Sequence, residues 1–112
     1  MPRKLERREL NESIAVIDMI NGGTFGELVN ITTEGIMLII DREIETQAIF
    51  QLALQLPDPL KGDDQIVLGA DCLWCRHAEN YYRYWAGFQI IDASERALAQ
   101  IEALIDLYAK AS

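Results

Sequence analysis

Two groups of polar residues in this sequence have the chemistry needed to hold an anionic ligand. The first is a basic N-terminal arm, which contains Arg3, Lys4, Arg7 and Arg8. The second is a polar turn between two apolar stretches, which contains Asn30, Thr32 and Gly35. A guanidinium group donates paired hydrogen bonds to phosphate oxygens or to guanine O6 and N7. The turn residues are equally typical of a tight connection between strands, because Asn and Thr bond nearby backbone amides and Gly permits positive φ.

The order and spacing of these residues resemble those of the PilZ domain, the bacterial receptor module for cyclic di-GMP. The segment Arg3-Lys4-Leu5-Glu6-Arg7 is similar to the family's Arg-x-x-x-Arg arm. The segment from Asn30 to Gly35 is similar to its Asp/Asn-x-Ser-x-x-Gly turn, with Thr32 in place of Ser. The resemblance continues through Leu73-Trp74 and Trp85-Ala86-Gly87-Phe88 into a C-terminal helix, so it covers essentially the whole chain.

The resemblance implies a ligand, a site and a mode of action. Arg3 and Arg7 would bind phosphate or guanine, with Arg8 as the register alternative. If the family's pair corresponds instead to Arg7-x-x-x-Asn11, the second guanidinium is lost. Asn30 and Thr32 would offer hydrogen-bonding groups, and Gly35 would permit the turn and keep the surface open. The arm would order on cyclic di-GMP and the complex would signal to a partner protein in trans. The alternative is a PilZ-like adaptor that contacts proteins and does not bind the nucleotide.

The charge distribution excludes several other partners. The 112 residues carry a net charge of −8, yet four of the ten basic residues lie within the first eight positions. The acidic remainder would repel a nucleic-acid backbone, so no nucleic-acid partner is predicted. No apolar run approaches the roughly 20 residues that span a bilayer, and the charged N-terminus is unlike a secretory signal. We therefore predict one cytoplasmic domain, without membrane insertion.

The remaining reactive side chains do not form a predicted catalytic or metal site. Cys72 and Cys75 make a single Cys-x-x-Cys with no second ligand pair, and the surrounding strand pattern places them on opposite faces. Reduced, partly buried thiols are therefore predicted. His77 is predicted to lie on the surface, with no nucleophile beside it. These observations favour a protein that is not an enzyme and has no cofactor.

Hydrophobic patterning predicts a mainly β fold: a small six-stranded antiparallel barrel at 13–92, a C-terminal helix at 94–110 and a flexible N-terminal arm at 1–12. Asn21-Gly22-Gly23 predicts a hairpin turn, and Pro57 and Pro59 predict the end of the fourth strand. Trp74 and Trp85 are predicted to lie in the core. Ser94 is the predicted helix N-cap. The predicted buried face of the helix comprises Leu98, Ile101, Ile105 and Tyr108.

Overall fold

A computed structural model of the chain describes residues 13–79 and 82–111, apart from the side chains of 108–111. The described residues form six strands and one helix. The strands are β1 (Ala15–Asp18), β2 (Thr24–Ile31), β3 (Gly35–Ile40), β4 (Ile49–Leu60), β5 (Asp63–His77) and β6 (Tyr84–Asp92). The helix is α1 (Glu95–Ala111). The predicted arm at 1–12 lies outside the described residues.

The six strands close into one antiparallel barrel in the order β1-β2-β3-β6-β5-β4, with β4 pairing back to β1. This confirms the predicted six-stranded antiparallel barrel with a C-terminal helix. Closure leaves no strand edge open to pairing with another chain. Within β3 the pattern is regular: Ile36, Leu38 and Ile40 are buried, and the residues between them are half-buried on the outer side. Period-two alternation of this kind turns one face of every strand toward a shared core.

Three phenylalanines form an aromatic cluster inside the barrel. The ring centroids of Phe25 and Phe50 are 5.3 Å apart, and those of Phe50 and Phe88 are 5.8 Å apart. The Phe50–Phe88 pair is edge-to-face, an arrangement that aromatic quadrupoles favour. The rings come from β2, β4 and β6, so the cluster joins strands that are distant in sequence.

Helix α1 begins as predicted and packs against β4 and β5. The Ser94 hydroxyl oxygen accepts a hydrogen bond from the Ala97 backbone N–H at 3.0 Å, which confirms the N-cap. The buried Gln100 side chain donates to the backbone carbonyls of Leu60 (3.3 Å) and Gln65 (3.0 Å). These bonds fasten the helix to the end of the β4–β5 hairpin.

The buried face of α1 differs in part from the predicted one. Ile101 is buried and Ile105 packs against the core, as predicted, but Leu98 is 38% exposed. Gln100 and Leu104 are buried instead. The reason is that the helix must supply a donor to the hairpin carbonyls, which turns the face containing Gln100 inward. The predicted contribution of Tyr108 lies outside the described side chains.

The prediction that Pro57 and Pro59 end the fourth strand is wrong. Strand β4 continues through both prolines to Leu60. Its ladder with β5 is regular as far as Gln55, and it is then irregular until Leu60 pairs with Asp63. Since a proline only disrupts a ladder where its missing N–H would have been used, both prolines are accommodated in the irregular stretch.

The β1–β2 turn has the predicted conformation and is held by one carboxylate. Gly22 and Gly23 adopt φ values of 83° and 82°, which only glycine reaches without strain. The Asp18 carboxylate accepts hydrogen bonds from the Ile20 N–H at 2.9 Å and from the Asn21 N–H and side-chain amide, both at 3.1 Å. This turn ends β1 at Asp18.

We expect Asp18 to make folding stability depend on acid pH. Burial alone raises the pKa of Asp18, but hydrogen bonds from Asn21 and Ile20 and the charge of Arg42 outweigh it and hold the pKa below its ordinary value. A lowered folded-state pKa stabilises the fold above the unfolded pKa, and this stability is lost as the pH falls through the folded pKa. Urea denaturation of Asp18→Asn should therefore show a smaller loss of stability between about pH 5 and pH 2 than the wild type. Equal pH slopes in the two proteins would contradict this.

Candidate functional site

An open hollow lies on the outer surface of the barrel, between the β2–β3 turn and the C-terminal part of β5. Its volume is about 220 Å³. Asn30, Thr32 and Gly35 line one side. Leu73, Trp74 and Gly87 line the other. The structure thus brings the three predicted turn residues together around one surface feature, opposite an indole ring.

The Thr32 side chain holds the shape of the turn. Its hydroxyl oxygen accepts hydrogen bonds from the Glu34 N–H at 3.1 Å and the Gly35 N–H at 3.0 Å. The Thr32 N–H donates to the Gly35 carbonyl at 2.9 Å, which closes the turn. A serine hydroxyl would make the same bonds, so Thr32 can hold the turn as the serine of the family motif would.

The Asn30 side chain is also exposed, and its oxygen is bonded to the backbone. Its side-chain oxygen accepts a hydrogen bond from the Ile31 N–H at 2.8 Å. An asparagine amide carries two further N–H donors on its nitrogen. With the oxygen oriented toward the backbone, the amide nitrogen is the part of this exposed side chain that suits an incoming phosphate or carbonyl oxygen.

Gly35 has a different role from the predicted one. It is the first residue of β3, and its φ is not positive; the positive-φ glycines of the described chain are Gly22, Gly23 and Gly62. A Cβ added at Gly35 would lie 2.6 Å from the Phe88 carbonyl oxygen. Gly35 is therefore required because the β6 backbone approaches closely, and the turn itself does not need its conformational freedom.

The prediction that Trp74 lies in the core is wrong. A bulge between Cys72 and Trp74 inserts one extra residue into β5, which turns the following side chains over. Trp74 therefore lies half-buried on the outer surface, across Gly87. A Cβ at Gly87 would contact the indole directly, with Cζ2 at 2.7 Å. The Arg76 guanidinium lies 5.1 Å from the centroid of the Trp74 ring, within the range of a cation–π contact.

Trp74 was not predicted to line this surface, although the sequence contains one signal for it. Gly87 interrupts an otherwise bulky strand, and a strand glycine often marks the close approach of another group. Here that group is the Trp74 ring. Trp85, also predicted to be core, is half-buried and pairs with Ile39 and Arg76 in the ladders.

The remaining predicted site residues are the arginines of the N-terminal arm. Arg3, Arg7 and Arg8 lie outside the described residues, so their place at the hollow stays a prediction.

His77 is exposed, as predicted, and its ring packs edge-on against Tyr84 with centroids 5.0 Å apart. Across the described chain, no group of three or more metal-binding side chains comes together. None of the helical segments described is long and apolar enough to cross a membrane.

The predicted placement of the two cysteines on opposite faces is wrong. Both are free thiols; Cys72 is buried, and Cys75 is half-buried and packs against the core. The bulge after Cys72 adds a residue to the strand, so position 75 returns to the inner face that position 72 occupies.

The closed antiparallel barrel, its C-terminal helix and the polar turn beside the hollow define a small β-barrel binding module. The family model of the PilZ domain matches residues 2–107, and the chain belongs to the PilZ domain family. A search of curated protein sequences finds no significant match.

Two solved structures have a similar fold. The Bacillus subtilis inhibitor of motility, MotI/DgrA, aligns with a TM-score of 0.69 at 13% identity, over 88% of this chain and 48% of that one. Borreliella burgdorferi PlzA, solved in complex with cyclic di-GMP, aligns with a TM-score of 0.57 at 13% identity, over 98% of this chain and 50% of that one. The present chain thus spans about half the length of each protein. At this identity the likeness concerns the fold.

Proposed function

We propose that this protein is a cytoplasmic cyclic di-GMP receptor that acts without catalysis, by ordering its arginine arm on the ligand. The observation that carries the proposal is the hollow, in which the family's turn residues Asn30, Thr32 and Gly35 face Trp74 across an open surface. Membership of the PilZ family and the PlzA complex with cyclic di-GMP support this choice of ligand.

Each part of the ligand has a chemical counterpart in the chain. The two phosphates and the guanine O6 and N7 atoms suit the planar forks of Arg3 and Arg7, or of Arg8 in the alternative register. The Asn30 amide suits a phosphate or carbonyl oxygen. The Trp74 ring offers an aromatic face to a guanine base, and stacking of this kind tolerates either base of the ligand.

The charge of the chain explains why an arm would be needed. The net charge is −8, and the basic residues are concentrated at the N-terminus. An anionic nucleotide is repelled by the acidic body unless a local cluster of guanidinium groups compensates. Ligand and arm would therefore bind the barrel together, and their joint surface would be recognised by a partner protein in trans.

A second function remains open, that of a protein-interaction adaptor that does not bind the nucleotide. The observation that favours it is that the turn holds its own shape, because the Thr32 hydroxyl and the Asn30 side-chain oxygen already bond the backbone. The turn is thus complete without a ligand. In this case the β2–β3 turn and Trp74 would contact a protein directly.

An amide NMR titration of the chain with cyclic di-GMP, with GMP as the control nucleotide, separates the two functions. For a receptor we expect saturable shifts at residues 3–11, at 30–35 and around Trp74, because these segments would enclose the ligand. The Trp74 indole N–H provides a probe on the wall opposite the turn. A spectrum that does not change at millimolar cyclic di-GMP would exclude the receptor and leave the adaptor.

A further inference from the structure

The sequence Cys72-Leu73-Trp74-Cys75 places two thiols inside the barrel, directly behind the Trp74 wall of the hollow. In the β5–β6 ladder, Cys72 lies opposite Phe88 and Cys75 lies opposite Ala86. Phe88 and Ala86 are two positions apart in a stretch of β6 that contains no inserted residue. Because of the bulge, the two cysteines are therefore neighbours on the inner face, although three positions separate them in sequence.

The Cα spacing of these two cysteines lies at the upper end of the range that a disulfide spans, so the bond requires the backbone between them to shift. Two positions on a strand correspond to about 6.6 Å between Cα atoms, and disulfides span roughly 4.4–6.8 Å. The Cys72 sulfur also leans along the strand in the required direction. It lies 3.5 Å from the carbonyl oxygen of Trp74, the group bonded directly to the nitrogen of Cys75.

We propose that Cys72 and Cys75 are a modification site, at which oxidation forms a reversible intrastrand disulfide that displaces Trp74. The proposal for the bond itself rests on the geometry of β5 alone. Its consequence for ligand binding rests on the proposed function, because it requires that Trp74 contact the nucleotide.

The two sulfurs differ in access to an oxidant. Cys75 lines an open cavity of about 570 Å³, together with Glu43, Ile44, Glu45 and Thr46. Cys72 is fully buried, and burial, the neighbouring Cys75 and the Asp71 carboxylate raise the pKa of the Cys72 thiol. Cys75 is therefore the sulfur that meets a small peroxide, and Cys72 is the sulfur that resolves the product.

The reaction balances with hydrogen peroxide as the two-electron oxidant. The Cys75 thiolate attacks one peroxide oxygen, the O–O bond breaks, and hydroxide leaves as water, which gives a sulfenic acid. The Cys72 sulfur then attacks the Cys75 sulfur, the S–O bond breaks, and the second hydroxide leaves as water. Two thiol hydrogens are lost in total, and a thiol reductant reverses the reaction by exchange.

The disulfide would act on the bulge that places Trp74 on the outer surface. Bonded sulfurs lie about 2.05 Å apart, and the Cys72 S–H that contacts the Trp74 carbonyl is removed. Leu73 and Trp74 become part of a short closed loop between the two cysteines. Since the Trp74 ring fits tightly against Gly87, a change in the local backbone moves the ring from this position.

Peptide mapping of the peroxide-treated chain tests the bond itself. Both cysteines lie in one tryptic peptide, 62–76. We expect this peptide to lose the mass of two hydrogen atoms, to resist alkylation and to recover both alkylation sites after reduction. The Cys75→Ser variant, which changes the half-buried thiol, should show neither the mass loss nor the protection. Sulfinic acid at Cys75, or a disulfide between two chains, as the main product would overturn the proposal.

The consequence for the hollow is measured in the Trp85→Phe background, where Trp74 is the remaining tryptophan. Disulfide formation should change the Trp74 emission and weaken cyclic di-GMP binding by about tenfold, a change on the scale of one lost stacking contact. Equal affinities of the reduced and disulfide forms would overturn the coupling. Absence of binding in both forms would instead refute the receptor function, and the peptide mapping would still decide whether the disulfide forms.

Discussion

Replacement of Arg7 with alanine is expected to weaken cyclic di-GMP binding by about 1.5–3 kcal/mol, which corresponds to roughly 10- to 150-fold in Kd. The reason is the loss of a charged, two-pronged hydrogen-bond donor in a chain whose body is acidic. Isothermal titration calorimetry at fixed ionic strength measures the effect. Arg7→Lys should retain part of the affinity, since it keeps the charge but loses the fork.

Two further variants make the Arg7 result specific. Arg83→Ala removes an exposed arginine that borders a different cavity, beside Thr24 and Glu27, and it should bind as the wild type does. Arg8→Ala tests the alternative register of the arm. If Arg8→Ala reduces the affinity and Arg7→Ala does not, the alternative register is correct. If the wild type itself shows no binding, the adaptor function replaces the receptor.

Replacement of Gly87 with alanine is expected to reduce ligand affinity by about tenfold without touching any polar group of the hollow. The added Cβ would occupy the space that the Trp74 ring fills, so the ring must leave its position against β6. Overpacking of this kind also costs about 1–3 kcal/mol of folding stability. Urea denaturation and calorimetric titration measure the two effects separately.

Gly69→Ala is the matched control for Gly87→Ala. Gly69 is also a β5–β6 ladder residue, but its added Cβ would lie 3.1 Å from the Asp92 Cβ and from the mobile tip of the Gln51 side chain, and so would not overlap any neighbour as deeply as at Gly87. It does not line the hollow, so its ligand affinity should be that of the wild type. If Gly87→Ala remains folded and binds with full affinity, Trp74 has no part in recognition.

Much of the fold could be predicted because its signals are local. Apolar runs with turn residues at both ends predict strands at 24–31 and 84–92, and these are the bounds of β2 and β6. The positive φ values of Gly22 and Gly23 and the Ser94 N-cap also follow from neighbouring residues. The predicted end of β4 was wrong for the converse reason. Whether a strand continues through a proline depends on whether the partner strand would have bonded the missing N–H.

The sequence by itself determined the six-stranded barrel, its helix and the three turn residues of the hollow. Only the tertiary structure decided that Trp74 faces this hollow and that Cys72 and Cys75 share the interior. Both outcomes depend on one bulge in the β5–β6 ladder, and a bulge is a property of the register between two strands. A one-residue change in register reverses the face of every following side chain. Periodicity within β5 alone contains no information about that register, which pairing with β6 sets.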